Sequence, residues 1–385
     1  MSTLPVIMYF YYQIPVLAVI LNAIVVPLMT AVMMSVLAGV ICGMCNAFLG
    51  SVCIAPAVYI MKIYETLCTI NLKVPWAVYV TGKPSLIKIA VFYIMLAIIC
   101  VIIYNTDKRK YCIAYIPVML FLFIRPREGF ETYFLSVGQG DGIFIHTDSG
   151  KTILIDCGSS DNDSLYEYTI EPFLLSKKVP VLDYVIVTHM DNDHISGIKD
   201  LLTAGKIKVK NILIPSTALI DEEYMDFYNM AVQKAGDVSL IYTGASYNFG
   251  ATSIICVHPD YGYECEERND YSTVLLVENN GFTMLLTGDI LETQEKIVAA
   301  RLENVDKIHI YKAAHHGSKY SNSKLLLDAI NPENVVISCG KDNSYGHPHS
   351  EAMERFEDAD ACIYRTDENG AIIVHNHNIS VMLKD

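Results

Sequence analysis

Charged residues are missing from the start of the chain, where none precedes Lys62. This absence excludes a soluble N-terminal domain, because soluble folds carry charge on their surface. It also excludes a secretory signal peptide over Met1–Leu37, which lacks a basic start and runs on into further apolar sequence. Uncharged stretches of about 20 residues are typical of membrane helices. We therefore predict such helices near Val16–Met34, Val36–Ile60 and Ile89–Tyr104.

A thiolate metal site is missing as well, although the chain contains 11 cysteines. The C-x-x-C pair Cys42 and Cys45 lies inside an apolar run, where small apolar filler is favoured over a metal or redox site. The second part of the chain has an odd number of cysteines, which does not indicate a dense disulfide framework. They are Cys157, Cys256, Cys265, Cys339 and Cys362. Any metal would therefore be bound by imidazole and carboxylate groups, which suit Zn²⁺ or Mn²⁺.

The charge balance differs between the two ends of the chain. Residues 1–127 contain nine Lys+Arg and two Asp+Glu, which leaves 19 and 40 of the chain totals of 28 and 42 for residues 128–385. The net charges are therefore +7 and −21, and a composition shift of this size indicates a domain boundary. We predict an α-helical transmembrane region over 1–127 and a soluble α/β domain over 128–385.

Two further segments of the first part bear on its topology. Tyr111–Ile124 is apolar but short for a membrane span, and Tyr64–Pro84 suits an interfacial segment or a re-entrant loop. The basic cluster Lys108-Arg109-Lys110 predicts a cytoplasmic loop. If Tyr111–Ile124 crosses the membrane, the soluble domain lies on the other side. We therefore expect a multi-pass protein of the cell membrane with an extracytoplasmic domain.

In the second part, apolar strands repeatedly end in polar, glycine-containing loops. The predicted strands are Thr152–Ile155, Leu182–Val187, Phe282–Thr287, Ile308–Ala314 and Val335–Ser338. The predicted helices are Leu165–Ser176, Tyr224–Ala235, Leu291–Leu302, Ser323–Ile330 and Ser350–Asp358. Buried strands alternating with helices predict sheets covered by helices, with the reactive residues at the edge where the loops leave the strands.

The densest group of potential metal ligands follows the strand Leu182–Val187. It reads His189-Met190-Asp191-Asn192-Asp193-His194. Residues two apart in an extended loop point the same way. We therefore expect His189 and Asp191 to bind one ion, and Asp193 and His194 to face a second. The competing interpretation is a solvated acidic turn, which the density of ligand types disfavours.

Two later strand ends supply further candidate ligands. Asp289 follows Gly288 after the strand Phe282–Thr287, and its carboxylate can bridge two ions that generate hydroxide and bind the attacked group. A turn or capping role for Asp289 is the alternative. Of His315 and His316, we expect one to bind metal and the other to contact substrate or to support a ligand. The sequence leaves open which does which.

These motifs resemble, in order, those of one family. The cluster resembles the H-x-[HD]-x-D-H signature of the metallo-β-lactamase fold, and the variant with Asp191 is similar to that of ComEC-type DNA-uptake proteins. The other matching motifs are Gly138-Gln139-Gly140-Asp141, Asn269-x-x-Ser272, Thr287-Gly288-Asp289, His315-His316-Gly317-Ser318 and Tyr345-Gly346-His347-Pro348-His349. The motifs cover Phe134–Leu383, and the segment from Leu4-Pro5 to Pro27-Leu28 resembles the last helices of the family's membrane domain.

The resemblance implies an αββα sandwich, a hydrolase that uses one or two Zn²⁺ or Mn²⁺ ions, and a nuclease that acts on DNA during competence. It assigns to the metal His189, Asp191, Asp193, His194, Asp289 and one of His315 and His316. Asp193 would also act as the general base. The family's membrane part forms a channel for one DNA strand, and its metal domain is thought to degrade the other.

The family also carries an N-terminal oligonucleotide-binding-like domain and many more membrane helices. We therefore expect the present chain to be a split or truncated relative, or a membrane-tethered hydrolase. Its few helices would form a pore only by oligomerising or by joining a partner chain.

Other motif positions have two interpretations each. Gly140 and Asp141 form either a structural turn or a phosphate contact, whereas Asp156 is expected to support the cluster by hydrogen bonding rather than to bind metal. Asn269 and Ser272 lie where many relatives place a further histidine ligand, and this departure puts the second ion in doubt. The remaining candidates for substrate contact or ligand support are Ser318, His347 and His349.

The acidic balance of the second part bears on the substrate. A net charge of −21 repels a polyanion at long range, and no aromatic-basic stacking motif is evident. Divalent ions would offset this charge locally, and several basic residues lie near the motif loops in sequence. They are Lys312, Lys319, Lys324, Lys341 and Arg365.

We therefore predict a membrane-anchored, metal-dependent nuclease or phosphodiesterase of DNA. One alternative is a hydrolase of the same fold with another ester, lactam or phosphodiester substrate. The other is an inert component that works with other DNA-uptake proteins.

Overall fold

The computed structural model describes residues 3–74, 76–106, 113–125 and 129–382. Within these ranges the helices are α1 Leu4–Tyr11, α2 Ala18–Cys45, α3 Ala47–Leu72, α4 Leu86–Thr106, α5 Tyr115–Phe121, α6 Glu171–Ser176, α7 Asn192–Ala204, α8 Glu222–Lys234, α9 Glu292–Arg301, α10 Lys324–Ile330, α11 Ser350–Asp358 and α12 Thr366–Asn369. The strands are β1 Gln13–Pro15, β2 Val78–Val80, β3 Glu131–Phe134, β4 Ile143–His146, β5 Thr152–Ile155, β6 Val181–Ile186, β7 Lys208–Pro215, β8 Asp237–Ile241, β9 Ser246–Phe249, β10 Thr252–His258, β11 Val274–Asn279, β12 Phe282–Leu286, β13 Ile310–Lys312, β14 Asn334–Ile337, β15 Cys362–Arg365, β16 Ala371–His375 and β17 Asn378–Met382.

The described residues divide into two compact units. One comprises Met1–Ile124 with Leu175–Lys178, and the other comprises Arg125–Leu174 with Val179–Asp385. The predicted boundary between residues 127 and 128 lies outside the described residues.

Three helices in the described part of the chain are long and apolar enough to span a membrane. They are Ile20–Cys45 within α2, Ala47–Asn71 within α3, and α4. Their uncharged side chains suit hydrocarbon, and a helix satisfies its own backbone hydrogen bonds there. The prediction of a helical N-terminal region is therefore confirmed as three helices that could span a membrane.

The predicted break between the first two membrane helices, at Ser35, is wrong. Helix α2 continues to Cys45, and the chain turns at Asn46, whose backbone is extended. The Asn46 side chain accepts hydrogen bonds from the N–H groups of Phe48 and Leu49, at 2.9 and 3.2 Å. Asparagine is favoured at this capping position because it satisfies N–H groups that the helix leaves unpaired.

Two other segments of the first unit have defined secondary structure. Within Tyr64–Pro84, α3 continues to Leu72 and β2 pairs antiparallel with β1, and the interfacial or re-entrant placement stays a prediction. Helix α5 has seven residues, which makes it about 10 Å long, against a hydrocarbon core of about 30 Å. It does not span by itself. The basic cluster Lys108–Lys110 lies outside the described residues, so the sidedness of the second unit stays a prediction.

The second unit contains two sheets. The strand order is β17-β16-β3-β4-β5-β6-β7-β8 in one and β15-β14-β13-β12-β11-β10-β9 in the other. Strands β5 to β8 are parallel, as are β12 to β15. Parallel neighbours end at the same edge of a sheet. The loops that follow β5, β6, β12 and β13 therefore leave the sheets where reactive side chains can meet.

The two sheets pack face to face, with helices on their outer faces. Along β12, Leu286 faces the core between the sheets, whereas Leu285 packs with Val298 of α9 on the outer side. On the other sheet, Leu182 of β6 packs with Ile198 of α7. These four layers of helix, sheet, sheet and helix confirm the predicted αββα sandwich.

The ligand cluster is not the single extended loop that was predicted. Asp191 is the capping residue of α7, which begins at Asn192. Asp193 and His194 therefore lie in the first turn of a helix, while His189 lies in the loop before it. Helix α7 was not predicted, although its buried residues Ile195, Ile198 and Leu202 recur at helical spacing.

Candidate metal centre

Four predicted ligands meet at the edge where the parallel strands end. Asp193, His194, Asp289 and His316 each bring one ligand atom within 4.8 Å of the others. His194 Nε2 lies 3.3 Å from Asp289 Oδ1, and His316 Nε2 lies 3.3 Å from Asp193 Oδ2 and 3.5 Å from Asp289 Oδ2. Two imidazoles and two carboxylates at this spacing make a potential ligand set for one divalent ion.

The hydrogen bonding of these residues fits a bound cation. Nε2 of His194, Nε2 of His316 and Oδ1 of Asp289 are buried and have no hydrogen-bond partner among the described residues. A buried polar atom left unpaired costs about 1–3 kcal/mol. An ion among these atoms would satisfy all three at once, so the residues present fit the metal that the motifs imply.

The far side of each histidine ring is fixed by a hydrogen bond. His194 Nδ1 lies 2.8 Å from Asp156 Oδ2, and His316 Nδ1 lies 3.0 Å from the backbone oxygen of Ser338. Asp156 also accepts from the Thr188 hydroxyl and N–H, at 2.7 and 2.8 Å. These bonds place a proton on Nδ1 of each ring and turn Nε2 toward the centre, where a bound ion would displace any proton on Nε2.

We expect Asp156→Ala to weaken metal binding by about 10- to 100-fold, because His194 would lose the acceptor that orients it. Equilibrium dialysis of the full chain against a chelator-buffered metal series measures this change. Asp148→Ala is the matched control, since Asp148 also accepts three hydrogen bonds, from Ala251, Thr252 and Asn279, but follows β4 at the opposite edge of the sheet. Equal affinities for the two variants would contradict a supporting role for Asp156.

The loop that contains Gly140 packs directly beneath the cluster. A Cβ at Gly140 would lie 2.3 Å from the backbone oxygen of Gly158 and 2.5 Å from that of Asp193. The neighbouring Asp141 N–H donates to the Asp193 backbone oxygen at 3.0 Å. These close backbone contacts favour the structural turn over the phosphate contact for Gly140 and Asp141.

Asp141 forms a buried ion pair with Lys312. The Lys312 ammonium lies 2.7 Å from Asp141 Oδ2, and the two side chains are 1% and 2% exposed. Lys312 therefore cannot serve as the solvent-facing cation that its place in the sequence indicated. Burial raises the pKa of Asp141, but Lys312, His316 and His194 outweigh it and hold that pKa below its usual value.

Charge is distributed unequally over the centre. Burial raises the pKa of Asp289, but His316, His194 and His315 hold it well below its usual range. Burial lowers the pKa of His194, but the carboxylates of Asp289 and Asp156 raise it well above the usual value. By contrast, burial and the neighbouring His194 lower the pKa of His189 to about 4, so this imidazole is neutral. The centre thus attracts a cation and holds one uncharged imidazole beside it.

His189 and Asp191 are not members of the four-residue group. His189 Nε2 lies 3.9 Å from Asp191 Oδ2 and 4.0 Å from Asp289 Oδ2. The Asp191 side chain is 39% exposed, and its other oxygen lies 3.3 Å from Arg268 Nη1. Arg268 was missed by the sequence reasoning, because its contact with Asp191 joins residues 77 positions apart.

The two adjacent histidines occupy different environments. His316 is buried inside the four-residue group, whereas the His315 side chain is 26% exposed and its Nε2 lies 3.8 Å from Asp289 Oδ2. Both residues have a positive φ, of 49° and 54°, which turns consecutive side chains in different directions. The His315 ring also lies 5.4 Å from that of His347.

The remaining candidates belong to the loops next to the centre. Ser272 is buried, and its hydroxyl accepts a hydrogen bond from the Asp289 N–H at 3.2 Å. Asn269 begins the short 3-10 turn before it. The Ser318 hydroxyl accepts from the Tyr320 N–H at 3.3 Å. The His349 ring lies 4.9 Å from that of His347, and its Nδ1 accepts from the Lys319 N–H.

Two exposed tyrosines beside these loops were also missed. Tyr345 is 55% exposed, and its ring stacks on that of His347 at 5.7 Å and 20°. Tyr320 is 67% exposed, and the Lys319 ammonium lies 5.3 Å from its ring centre. Exposed aromatic rings beside a basic group are features of surfaces that stack nucleobases. In the motif that contains Tyr345, only His347 and His349 were predicted to be site residues.

Comparison with known proteins matches both parts of the chain to families. The model of the metallo-beta-lactamase superfamily matches residues 135–341, and that of the competence protein family matches residues 1–106. ComE operon protein 3 of Bacillus subtilis is 26% identical over 97% of this chain and 50% of its own length. Recombination protein 2 of Haemophilus influenzae is 31% identical over 63% of this chain and 28% of its own length.

Among solved structures, the metallo-beta-lactamase fold protein YhfI of Bacillus subtilis is similar, with a TM-score of 0.42 and 14% identity. The match covers 63% of this chain and 99% of YhfI. The present chain spans half the length of the Bacillus relative, or less in the case of the Haemophilus protein. Since one family model covers more than half of the sequence, the chain belongs to the metallo-β-lactamase superfamily, and the segment that precedes this match is similar to the competence protein family.

Proposed function

We propose that the chain is a membrane-anchored, metal-dependent phosphodiesterase that cleaves DNA during competence-type uptake. The observation that carries the hydrolytic part is the four-residue group with its buried, unpaired ligand atoms. The choice of DNA rests on the relatives, among which are proteins named for competence and recombination. An extracytoplasmic position of the hydrolase domain and partner chains that complete a channel belong to the same proposal.

Each ligand residue has a distinct task in this scheme. His194, His316 and Asp289 would hold the ion with Asp193, and the ion would supply electrophilic stabilisation and an activated water. The Asp193 side chain is 19% exposed, more than the other three, so it faces the substrate side. Burial raises the pKa of Asp193, but the neighbouring His316 and His194 outweigh it and lower that pKa. Asp193 is therefore an ionised base that can accept a proton from the attacking water.

The exposed tyrosines favour a single-stranded substrate. Unpaired bases offer faces that can stack on Tyr345 and Tyr320, whereas duplex DNA keeps its bases in the helix. Such stacking also compensates for the acidic domain, since it does not depend on positive charge. The net charge of −21 over residues 128–385 is the observation that favours the second candidate, a hydrolase of a smaller ester or phosphodiester.

Cleavage assays on the full chain in detergent separate these candidates. With Mn²⁺ or Zn²⁺, we expect cleavage of a single-stranded oligonucleotide. Tyr345→Ala should raise its KM by about 5- to 150-fold, because one stacked base is worth about 1–3 kcal/mol. Tyr345→Phe retains the ring and should stay near the wild type. Tyr168→Ala, which changes an exposed tyrosine outside these loops, should have no effect.

The substrate series includes duplex DNA, bis-p-nitrophenyl phosphate and p-nitrophenyl acetate. Hydrolysis of the small diester without any cleavage of DNA would reject the nuclease and favour the second candidate. A metal-loaded chain that hydrolyses none of these substrates would reject both.

A further inference from the structure

Arg268 is anchored beside Asp191, a predicted metal ligand that lies outside the four-residue group. Its Nε lies 2.7 Å from Asp221 Oδ2, and its Nη1 lies 3.0 Å from Glu223 Oε2. Both partners belong to the start of α8, where Asp221 also caps the helix by accepting from the Tyr224 N–H at 2.8 Å. The guanidinium is therefore fixed in position rather than free to swing away.

From this anchor Arg268 reaches Asp191. Its Nη1 lies 3.3 Å from Asp191 Oδ1, so the carboxylate that would bind a second ion is already paired with a cation. A divalent ion on Asp191 would have to share that carboxylate with a fixed positive charge, and like charges repel. On this side His189 Nε2 lies 3.9 Å from Asp191 Oδ2 and 4.0 Å from Asp289 Oδ2, farther than the 3.3–3.5 Å contacts inside the four-residue group.

We propose that Arg268 takes the place of a second tightly bound ion. The centre then holds one divalent ion tightly, among Asp193, His194, Asp289 and His316, and the guanidinium neutralises Asp191 beside it. A second ion binds only weakly, through the unpaired Nε2 of His189. This assignment deepens the proposed hydrolytic function and rests on its metal centre, but not on the identity of the substrate.

Metal titration of the full chain in detergent tests the assignment without any activity measurement. Bound Mn²⁺ is counted by mass spectrometry after equilibrium dialysis at a series of free concentrations, and electron paramagnetic resonance distinguishes isolated from coupled Mn²⁺. The wild type should saturate one tight site and show the signal of an isolated ion. Arg268→Gln should bind the second ion at least about tenfold more tightly, with a coupled signal, because Asp191 is released.

Two further variants control for folding and for charge. Arg301→Gln should behave as the wild type, since Arg301 is similarly exposed and also pairs with a carboxylate, Asp260 at 2.7 Å, outside the centre. Arg268→Lys keeps the positive charge and should keep one tight site. Two wild-type sites of similar affinity, or an unchanged second affinity in a folded Arg268→Gln, would overturn the assignment. If Arg268→Gln does not fold, the wild-type and Arg268→Lys titrations decide. Failure of DNA cleavage would leave these ion counts unchanged.

Discussion

Replacing Asp289 by asparagine is expected to remove both metal binding and hydrolysis. Four histidines in and around the centre approach the Asp289 carboxylate, at 3.3 Å for His194, 3.5 Å for His316, 3.8 Å for His315 and 4.0 Å for His189. An amide keeps the shape but removes the charge that attracts the ion. We expect metal affinity to fall more than about 100-fold, because loss of a supporting contact alone costs about 10- to 100-fold.

The hydrolytic rate of Asp289→Asn should fall by about a thousandfold or more, since a bound ion contributes several kcal/mol to transition-state stabilisation. Dialysis followed by metal analysis, and cleavage of a single-stranded oligonucleotide, measure the two effects. Asp183→Asn is the matched control, because Asp183 is also buried but pairs with Lys151 and Lys210 away from the centre. An Asp289→Asn variant that retained stoichiometric metal would refute the assignment of this residue.

The second large effect concerns stability. Lys312→Met should lower the free energy of unfolding by about 3–5 kcal/mol, because it leaves the Asp141 carboxylate buried without its partner. For a unit of this size that loss corresponds to a fall in Tm of roughly 6–20 °C. Thermal unfolding of the metal-loaded chain, followed by circular dichroism, measures it.

The double variant Asp141→Asn with Lys312→Met separates the charge effect from the loss of packing. It should recover part of the lost stability, because no uncompensated charge then remains in the interior. Lys307→Met is the exposed control, since Lys307 pairs with Glu333 at the surface and surface pairs contribute about 0–1 kcal/mol. A Lys312→Met variant as stable as the Lys307→Met control would contradict the importance of the buried pair.

Much of the second unit's fold follows from local pattern. The strand Thr152–Ile155 and the helix Ser350–Asp358 have the predicted bounds. A short apolar run indicates the strand, and an amphipathic pattern indicates the helix, and both signals are local in sequence. The break between the first two membrane helices was predicted at Ser35 instead of Asn46, because both helices are apolar on every side. No periodicity marks their ends, and only the capping asparagine does.

The candidate site was predictable as a set of residues but not as a geometry. The residue types of the ligands and their positions after apolar strands are visible in the sequence. Asp193, His194 and Asp289 could therefore be predicted as metal ligands. The distinction between His315 and His316 depends on the left-handed backbone that separates their rings. The contacts of Arg268 with Asp191 and of Asp141 with Lys312 join distant parts of the chain, and no local pattern encodes such pairings.

The unpaired ligand atoms of His194, His316 and Asp289 also have a consequence for the lifetime of the protein. A chain that folds without metal keeps these buried groups unsatisfied, and an ion that binds only the folded state adds stability in proportion to the logarithm of its concentration. Chains made when the ion is scarce would open more often and be degraded sooner. Metal supply would thus set how much of the protein persists, before any substrate is encountered.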